Sequence, residues 1–183
     1  MNTFTEKEQK TYFISDYHFS HNLIASLRGF RNIDAMNSEL IAKHNATVSK
    51  DGIVYHLGDF CWDNDYNKFL KLLNGEFIFL WGNHDSGLHN VSNRVIRGFF
   101  EFKLANSQTS ITLCHYPMRV WNKSHFNSWH IYGHIHRTTD FGGKTLNVSW
   151  ESIGSPISLP ALASYMDTRE DNWDFIPENQ RGK

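Results

Sequence analysis

Five short segments of the chain consist mostly of residue types that bind metal ions. In chain order they carry Asp16 and His18, Asp59, the run Asn83-His84-Asp85, His115, and the pair His134 and His136. Imidazole, carboxylate and amide ligands together suit Mn, Fe, Zn, Co or Ni, and are too rich in nitrogen for a dedicated Mg or Ca site. The segments therefore predict a centre that holds two divalent metal ions.

Two metals about 3.5–4 Å apart can share a hydroxide and stabilise both the attacking and the leaving oxygen of a phosphoryl group. Such a pair needs a bridging ligand, and Asp59 is the candidate because a carboxylate has two oxygens. Gly58 precedes it and permits a sharp turn of the backbone. His84 is the candidate catalytic residue, with Asp85 as its orienting partner, because a histidine held through one ring nitrogen can donate a proton from the other.

The elements that must position these residues are visible as apolar runs. Strands are predicted at residues 12–15, 53–57, 77–81, 99–104, 110–114, 129–132 and 144–148, and helices at 33–49 and 66–73 and from Pro160. The continuous run Phe77–Trp81 indicates a strand buried on both faces, and Asp34 is the predicted N-cap of the first helix. Most metal-binding segments directly follow a strand, and open α/β sheets build their sites at the carboxyl ends of strands. The order of elements favours a layered α/β sandwich.

Composition limits the classes of protein that remain. A chain of 183 residues is expected to form one domain, residues 1–183, with loose tails at about 1–10 and 170–183. A formal net charge of −1 gives no sign of binding to long nucleic acid. Two cysteines exclude a disulfide framework. With no apolar signal region and no membrane span, a cytoplasmic protein is expected, and nothing in the sequence predicts its oligomeric state.

The five segments, in this order, resemble the signature of the calcineurin-like metallophosphoesterases. The runs Asp16–Asn22, Val54–Phe60 and His115–Pro117 resemble those of a small bacterial and phage branch of predicted phosphoesterases. The resemblance implies a four-layer α/β/β/α sandwich. It also implies roles for the matching residues: Asp16, His18, Asp59 and His136 would hold the first metal, and Asp59, Asn83, His115 and His134 the second. His84 would be the proton donor and Asp85 its support.

The sequence departs from the protein Ser/Thr phosphatases of that superfamily, which carry Asp-Arg-Gly after Gly-Asp and a Glu after Asn-His. Here Phe60 and Cys61 follow Asp59, and Asp85 follows His84, so a phosphoprotein phosphatase is disfavoured. The leading hypothesis is a phosphodiesterase with two metal ions, Mn favoured, in which a bridging hydroxide attacks a small nucleotide-type phosphate ester. A phosphomonoesterase and a non-catalytic scaffold with the same fold are the alternatives.

Several further side chains are candidates for contact with the substrate. His21 and Asn22 either line the cleft or fix the loop after the first segment. Four cationic side chains are candidates to bind the non-bridging phosphate oxygens: Arg28, Arg31, Arg119 and Lys123. Arg119 is the best of these because it closely follows His115, and the others are expected to be exposed. Trp62 and Trp121 either stack on a base or sugar or pack beneath the site.

Overall fold

The computed structural model describes residues 3–63, 66–88 and 94–181, so the outermost residues of both predicted tails, 1–2 and 182–183, lie outside it. The strands are β1 Thr11–Ile14, β2 Ile53–His56, β3 Glu76–Leu80, β4 Val95–Ile96, β5 Phe99–Lys103, β6 Ser110–Cys114, β7 Trp129–Tyr132, β8 Thr145–Asn147 and β9 Ile157–Ser158. The helices are α1 Glu6–Gln9, α2 Asn22–Leu27, α3 Ile33–Thr47, α4 Tyr66–Leu70, α5 Trp150–Ile153 and α6 Leu159–Asp167. Every predicted strand is present, and each end lies within one residue of its predicted position.

The strands form two sheets, which confirms the predicted α/β fold. In the first sheet the order is β4-β3-β2-β1-β9, with β1 to β4 parallel and β9 antiparallel to β1. In the second the order is β5-β6-β7-β8, with β6, β7 and β8 parallel. The two-residue strands β4 and β9 were not predicted, because they are too short to show a period in the sequence.

Alternation along the strands of the first sheet supplies both of its faces with apolar side chains. Ile14 points to a cluster that includes Met36 and Leu40 of α3. Its neighbour Phe13 points the other way, into a second cluster that includes Ile131 of β7. The second cluster joins the two sheets, so the strand ends that carry the metal-binding segments are fixed to each other by buried apolar contact.

The outer face of the second sheet is covered mainly by irregular chain. Glu101, Thr112, His130 and Thr145 lie side by side across its four strands. The segment 116–128 packs on this row, with the Met118 N–H donating to His130 Nε2 at 3.0 Å. Within the described residues of 116–128 and 170–181, the only helical turns are the 3₁₀ turns Ser124–Phe126 and Glu178–Gln180. This outer layer of the predicted sandwich is therefore built from loops.

Three details of the sequence prediction were wrong, two at the ends of helices and one in the tails. The N-cap of α3 is Asn32, whose side chain accepts from the Ala35 N–H at 2.9 Å, and not Asp34, which lies in the first turn. The second predicted helix, α4, ends at Leu70 and not at residue 73.

The predicted loose tails are the third error. Residues 6–9 form α1, which begins with a capping box between Thr5 and Glu8. In the C-terminal segment Asn172 is buried, and its side chain donates to the carbonyl oxygens of Ser124 and Ser128. Both segments are thus attached to the folded domain. In the part of the chain that the structure describes, no helix is long and apolar enough to cross a membrane.

Buried His130 makes stability depend on pH. The Thr112 carbonyl, 3.1 Å from Nδ1, requires a proton on that nitrogen, so Nε2 accepts from Met118 and the ring is neutral. Burial lowers the pKa of His130 to about 4, below the value of about 6.5 expected in the unfolded chain. The folded state therefore binds fewer protons, and the stability that His130 contributes is complete above pH 6.5 and falls as the pH drops towards 4.

When the pH falls from 7 to 5, we expect the wild type to lose about 2 kcal/mol more unfolding free energy than His130→Gln loses. Urea unfolding at the two pH values measures this difference. The matched control is His125→Gln, at a half-buried position on the neighbouring 3₁₀ turn, which should leave the difference unchanged. Equal pH dependence in the wild type and His130→Gln would contradict the assignment.

Candidate metal centre

The five metal-binding segments meet where the carboxyl ends of β1, β2, β3, β6 and β7 lie together. One group of potential ligands consists of Asp16, His18 and His136, and a second consists of Asp59, His115 and His134. Within each group the ligand atoms all lie within 4.8 Å of one another. The structure therefore brings together six of the seven residues predicted as ligands in two adjacent triads, divided as the sequence resemblance implied.

The first triad has the dimensions of a metal site. His18 Nε2 lies 3.2 Å from His136 Nε2 and 3.8 Å from Asp16 Oδ1, and His136 Nε2 lies 3.7 Å from the same oxygen. A point equidistant from these three atoms is about 2.1 Å from each, which matches the length of metal–nitrogen and metal–oxygen bonds. Asp16 Oδ1 is buried and has no hydrogen-bond partner among the described residues. The triad thus offers an unsatisfied oxygen where a cation fits.

The second triad presents lone pairs that face each other. His115 Nδ1 lies 2.7 Å from the carbonyl oxygen of Leu57, so Nδ1 carries the proton and Nε2 has a lone pair. That Nε2 lies 3.1 Å from Asn83 Oδ1 and 3.5 Å from Asp59 Oδ2. Burial lowers the pKa of His115 to about 4, which keeps the ring neutral. Three acceptors that converge without a proton between them favour a cation, and Asn83, the seventh predicted ligand, belongs to this set.

Asp59 lies between the triads. Its Oδ2 is 3.5 Å from His18 Nε2 and 3.5 Å from His115 Nε2, whereas its Oδ1 accepts the backbone N–H of His84 at 2.9 Å. The residue predicted to bridge is therefore placed between the two groups. One oxygen of Asp59 thus faces both triads, and the other positions the His84 loop.

The loops that carry the ligands have unusual backbone conformations. Asp16, His18, Asp59 and His134 all have positive φ angles, between 50° and 69°, a left-handed region that few residues other than glycine adopt. Gly133 allows the loops to approach each other, since a Cβ there would clash with the side chains of Ser15 and Asp16. Such strain persists only where surrounding contacts hold it, and it is concentrated at functional sites.

Burial makes the negative charges of the Asp16 and Asp59 carboxylates energetically unfavourable. Asp16 and Asp59 are fully buried. Desolvation raises the pKa of both carboxyl groups, and the nearby charge of Asp59 raises that of Asp16 further. Desolvation also lowers the pKa of His18, which favours the neutral ring that a metal needs. The two carboxylates therefore need a positive charge nearby, and the neutral ring of His18 does not supply it.

Asp85 does not have the role predicted for it. One of its oxygens accepts the N–H groups of Asp59 at 2.7 Å and Gly82 at 2.9 Å, and the other accepts that of Phe60 at 2.9 Å. Within the described structure no hydrogen bond joins Asp85 to the His84 ring. Asp85 is a positioning residue that ties the loop after β2 to the loop after β3, and it is fully buried.

Glu151 and Arg28 support the first triad from behind. Glu151 Oε1 lies 2.9 Å from His136 Nδ1, so it orients the ring and leaves Nε2 as the ligand atom. Arg28 donates to Glu151 at 2.8 Å and to the carbonyl oxygens of Asp16 and Tyr17 at 2.6 and 2.8 Å. The expectation that Arg28 is exposed or binds phosphate is therefore wrong. Glu151 was missed, although its position just after predicted strand 144–148 was a usable signal.

His84 and three candidate substrate residues lie at the solvent side of the triads. The exposed His84 ring lies 5.6 Å from the His18 ring and 5.2 Å from that of Trp62, measured between centroids. His21 is the N-cap of α2, accepting from Ile24, and its ring lies 5.5 Å from that of His18. Asn22, the first residue of α2, is exposed. His21 thus fixes the loop, as one of its two predicted roles required, and its role in lining a substrate cleft stays a prediction.

Arg119 and Trp121 line a separate cavity of about 410 Å³, together with Phe141 and Trp173. The guanidinium of Arg119 stacks on Trp173 at 4.8 Å from the ring centroid. The Trp121 indole packs on His130 at 5.1 Å and donates to the Ser128 carbonyl. Both side chains thus have partners in the outer layer of the second sheet, and none of the ligands of either triad lines this cavity.

Known proteins that are similar to the chain include one from an archaeon. No protein-family model matches the chain. It is 33% identical over 173 residues to the uncharacterized protein MJ1445 of Methanocaldococcus jannaschii, with 87% of this chain and 92% of the relative covered. It is similar to the solved structure of a protein of unknown function from Aquifex aeolicus, with a TM-score of 0.65, 24% identity, and 85% and 98% of the two chains covered. It is also similar to Yfce, a phosphoesterase from E. coli, with a TM-score of 0.46, 20% identity and 80% of each chain covered.

The two-sheet fold and the pair of triads joined by one aspartate agree with what the sequence resemblance to the calcineurin-like metallophosphoesterases implied. The chain belongs to the family of the Methanocaldococcus jannaschii protein, to which it is 33% identical with 87% of this chain covered.

The support of His136 by Glu151 predicts a site-selective loss of metal binding. We expect Glu151→Gln to weaken binding of one of two Mn²⁺ ions about 10- to 100-fold and to leave the other unchanged, because only His136 depends on Glu151. Calorimetric titration of metal-free protein measures both affinities. Glu101→Gln, on the outer face of the second sheet, is the control and should match the wild type. Equal weakening of both sites would contradict this role.

Proposed function

We propose that the protein is a metal-dependent phosphodiesterase that acts on diesters of nucleotide type. The observation that carries the proposal is the position of Asp59 Oδ2, 3.5 Å from a histidine of each triad. Two divalent ions held there would supply a Lewis acid for the phosphoryl oxygens and a means to activate water near neutral pH. Mn²⁺ is the favoured ion because the ligands mix nitrogen and oxygen.

The protein ligands do not neutralise two divalent ions. Asp16 and Asp59 provide two negative charges, and the remaining ligands, the histidines and Asn83, are neutral when they bind metal. Arg28 and Glu151 form an ion pair with each other and so add no net charge. The loaded centre would retain positive charge, which favours binding of an anionic phosphate ester.

In this proposal His84 donates a proton to the leaving oxygen, and two contacts support that role. Its backbone N–H is fixed by Asp59 Oδ1 at 2.9 Å, so the segment that carries it is attached to the bridging ligand. Its side chain is exposed at the solvent side, close to His18. A substrate whose phosphoryl group lies between the triads would thus have its leaving oxygen within reach of this imidazole, which acts as the general acid.

The surroundings of His84 favour a diester over a monoester. A phosphate monoester carries a second negative charge, which commonly pairs with an arginine or lysine. Among the described residues, the rings in contact with His84 belong to His18, His21 and Trp62, and Arg28 is committed to Glu151. A diester carries one negative charge and has a second organic group. The rings of His18, His21 and Trp62 form a polar and aromatic surface that accommodates this group.

Hydrolysis of bis(p-nitrophenyl) phosphate in the presence of Mn²⁺ tests the proposal. We expect His84→Ala to lower kcat about 10²- to 10⁴-fold, the usual contribution of a general acid, without loss of bound metal, because every ligand side chain remains. His125→Ala, far along the chain on a 3₁₀ turn, should keep full activity. Undiminished turnover in His84→Ala, or no turnover by the parent with any of Mn, Zn, Co or Ni, would overturn the assignment.

The same assay distinguishes the two enzyme classes. We expect the ratio of kcat/KM for bis(p-nitrophenyl) phosphate to that for p-nitrophenyl phosphate to exceed one, because the rings near His84 are uncharged contacts for a second organic group and Arg28 is paired with Glu151. A ratio below one would favour a phosphomonoesterase. Metal bound at both sites without turnover of either ester would favour the non-catalytic scaffold.

A further inference from the structure

An aromatic surface adjoins His84 on the solvent side of the metal centre. It consists of the rings of Trp62 and His21, whose centroids are 4.0 Å apart. Trp62 is 52% exposed although tryptophan is the largest apolar side chain. Its exposed indole therefore lies beside a candidate catalytic group, where it is available for stacking by a planar group.

The rings form a continuous path from the metal ligands to this surface. The centroid of His18 lies 5.6 Å from that of His84 and 5.5 Å from that of His21. His84 and His21 in turn lie 5.2 and 4.0 Å from Trp62. His84 and His21 thus stand between a metal ligand and Trp62, so Trp62 is on the side of His84 to which the leaving group would extend.

The surface is held in place by the backbone beneath it. The backbone N–H of Trp62 donates to the carbonyl oxygen of Phe19 at 2.8 Å. Phe19 also forms an isolated parallel β-bridge with Cys61. His21 is fixed as the N-cap of α2 by the Ile24 N–H. A fixed aromatic surface loses little conformational entropy when a planar group stacks on it.

We propose that Trp62 and His21 form a stacking subsite for a nucleobase, one sugar ring away from the leaving oxygen. This inference rests on the proposed function, because it places the nucleoside by the phosphoryl group that the metal centre binds. Stacking on an aromatic side chain tolerates every base, since each has a π face. The substrate class is therefore a nucleoside phosphodiester, with weak discrimination among bases.

A second exposed tryptophan provides the comparison. Trp173 is 64% exposed, but one face of its ring is covered by the Arg119 guanidinium, and its indole N–H donates to the Arg119 carbonyl at 2.9 Å. It lines the separate cavity and no ring of the metal ligands contacts it in the described structure. Trp173→Ala therefore removes an indole that is somewhat more exposed than that of Trp62, without touching the subsite.

The test compares binding of two monophosphates to protein loaded with Mn²⁺. AMP and ribose 5-phosphate differ by the base alone, and calorimetry gives both dissociation constants. We expect the wild type to bind AMP about 5- to 150-fold more tightly, as one stacked base contributes. Trp62→Ala should abolish that preference, whereas Trp62→Phe and Trp173→Ala should retain most of it. A preference that survives in Trp62→Ala overturns the subsite.

Failure of the subsite and failure of the proposed function give different results. If the parent hydrolyses bis(p-nitrophenyl) phosphate but Trp62→Ala keeps the preference for AMP, the subsite is wrong and the phosphodiesterase stands. If the preference depends on Trp62 but the parent hydrolyses no ester, nucleotide binding stands and hydrolysis is wrong. The thermal midpoint of each variant verifies folding, and substitution at a half-exposed position should leave it nearly unchanged.

Discussion

The structure depends on two buried carboxylates whose free oxygens face neutral imidazoles. Asp16 Oδ1 has no partner among the described residues, and Asp59 Oδ2 lies 3.5 Å from a nitrogen of His18 and 3.5 Å from one of His115. Charges buried without partners cost several kcal/mol each. A fold that retains this arrangement must recover the cost from a bound cation or by protonation, which is why burial raises the pKa of both groups. Metal binding and folding stability are therefore coupled in this domain.

The second oxygen of each carboxylate has a structural use. Asp16 Oδ2 accepts the His134 N–H at 2.9 Å and so connects the loop after β1 to the loop after β7. Asp59 Oδ1 accepts the His84 N–H, which connects the loops after β2 and β3. Asp16 thus joins the two sheets at the site, and Asp59 joins two loops of the first sheet. These contacts help to hold the left-handed backbone at Asp16 and Asp59.

The sequence predicts well the features that depend on neighbouring residues in the chain. It predicts poorly the contacts between residues that are distant in the chain. Strand bounds follow from runs of apolar residues, and the two ligand triads from the order of the five segments. Asp85 shows the limit: its neighbour His84 suggested a carboxylate–histidine pair, whereas in the fold its oxygens are taken by backbone N–H groups from residues 59, 60 and 82. Glu151 lies 15 residues after His136 and outside the five metal-binding segments. Arg28 binds backbone carbonyl oxygens, and no residue pattern encodes such a contact.

The two sides of the centre differ in how strongly the fold constrains them. Asp16, His18, Asp59 and His115 are buried at strand ends, where a change in any one disturbs both metal geometry and core packing. The residues that face solvent, His84, Trp62 and His21, are held mainly by their backbones. Their side chains can change without loss of the fold, so under the proposed function substrate preference is free to vary on this side while the candidate metal ligands stay constant. The sequence therefore identifies the chemistry more firmly than the substrate.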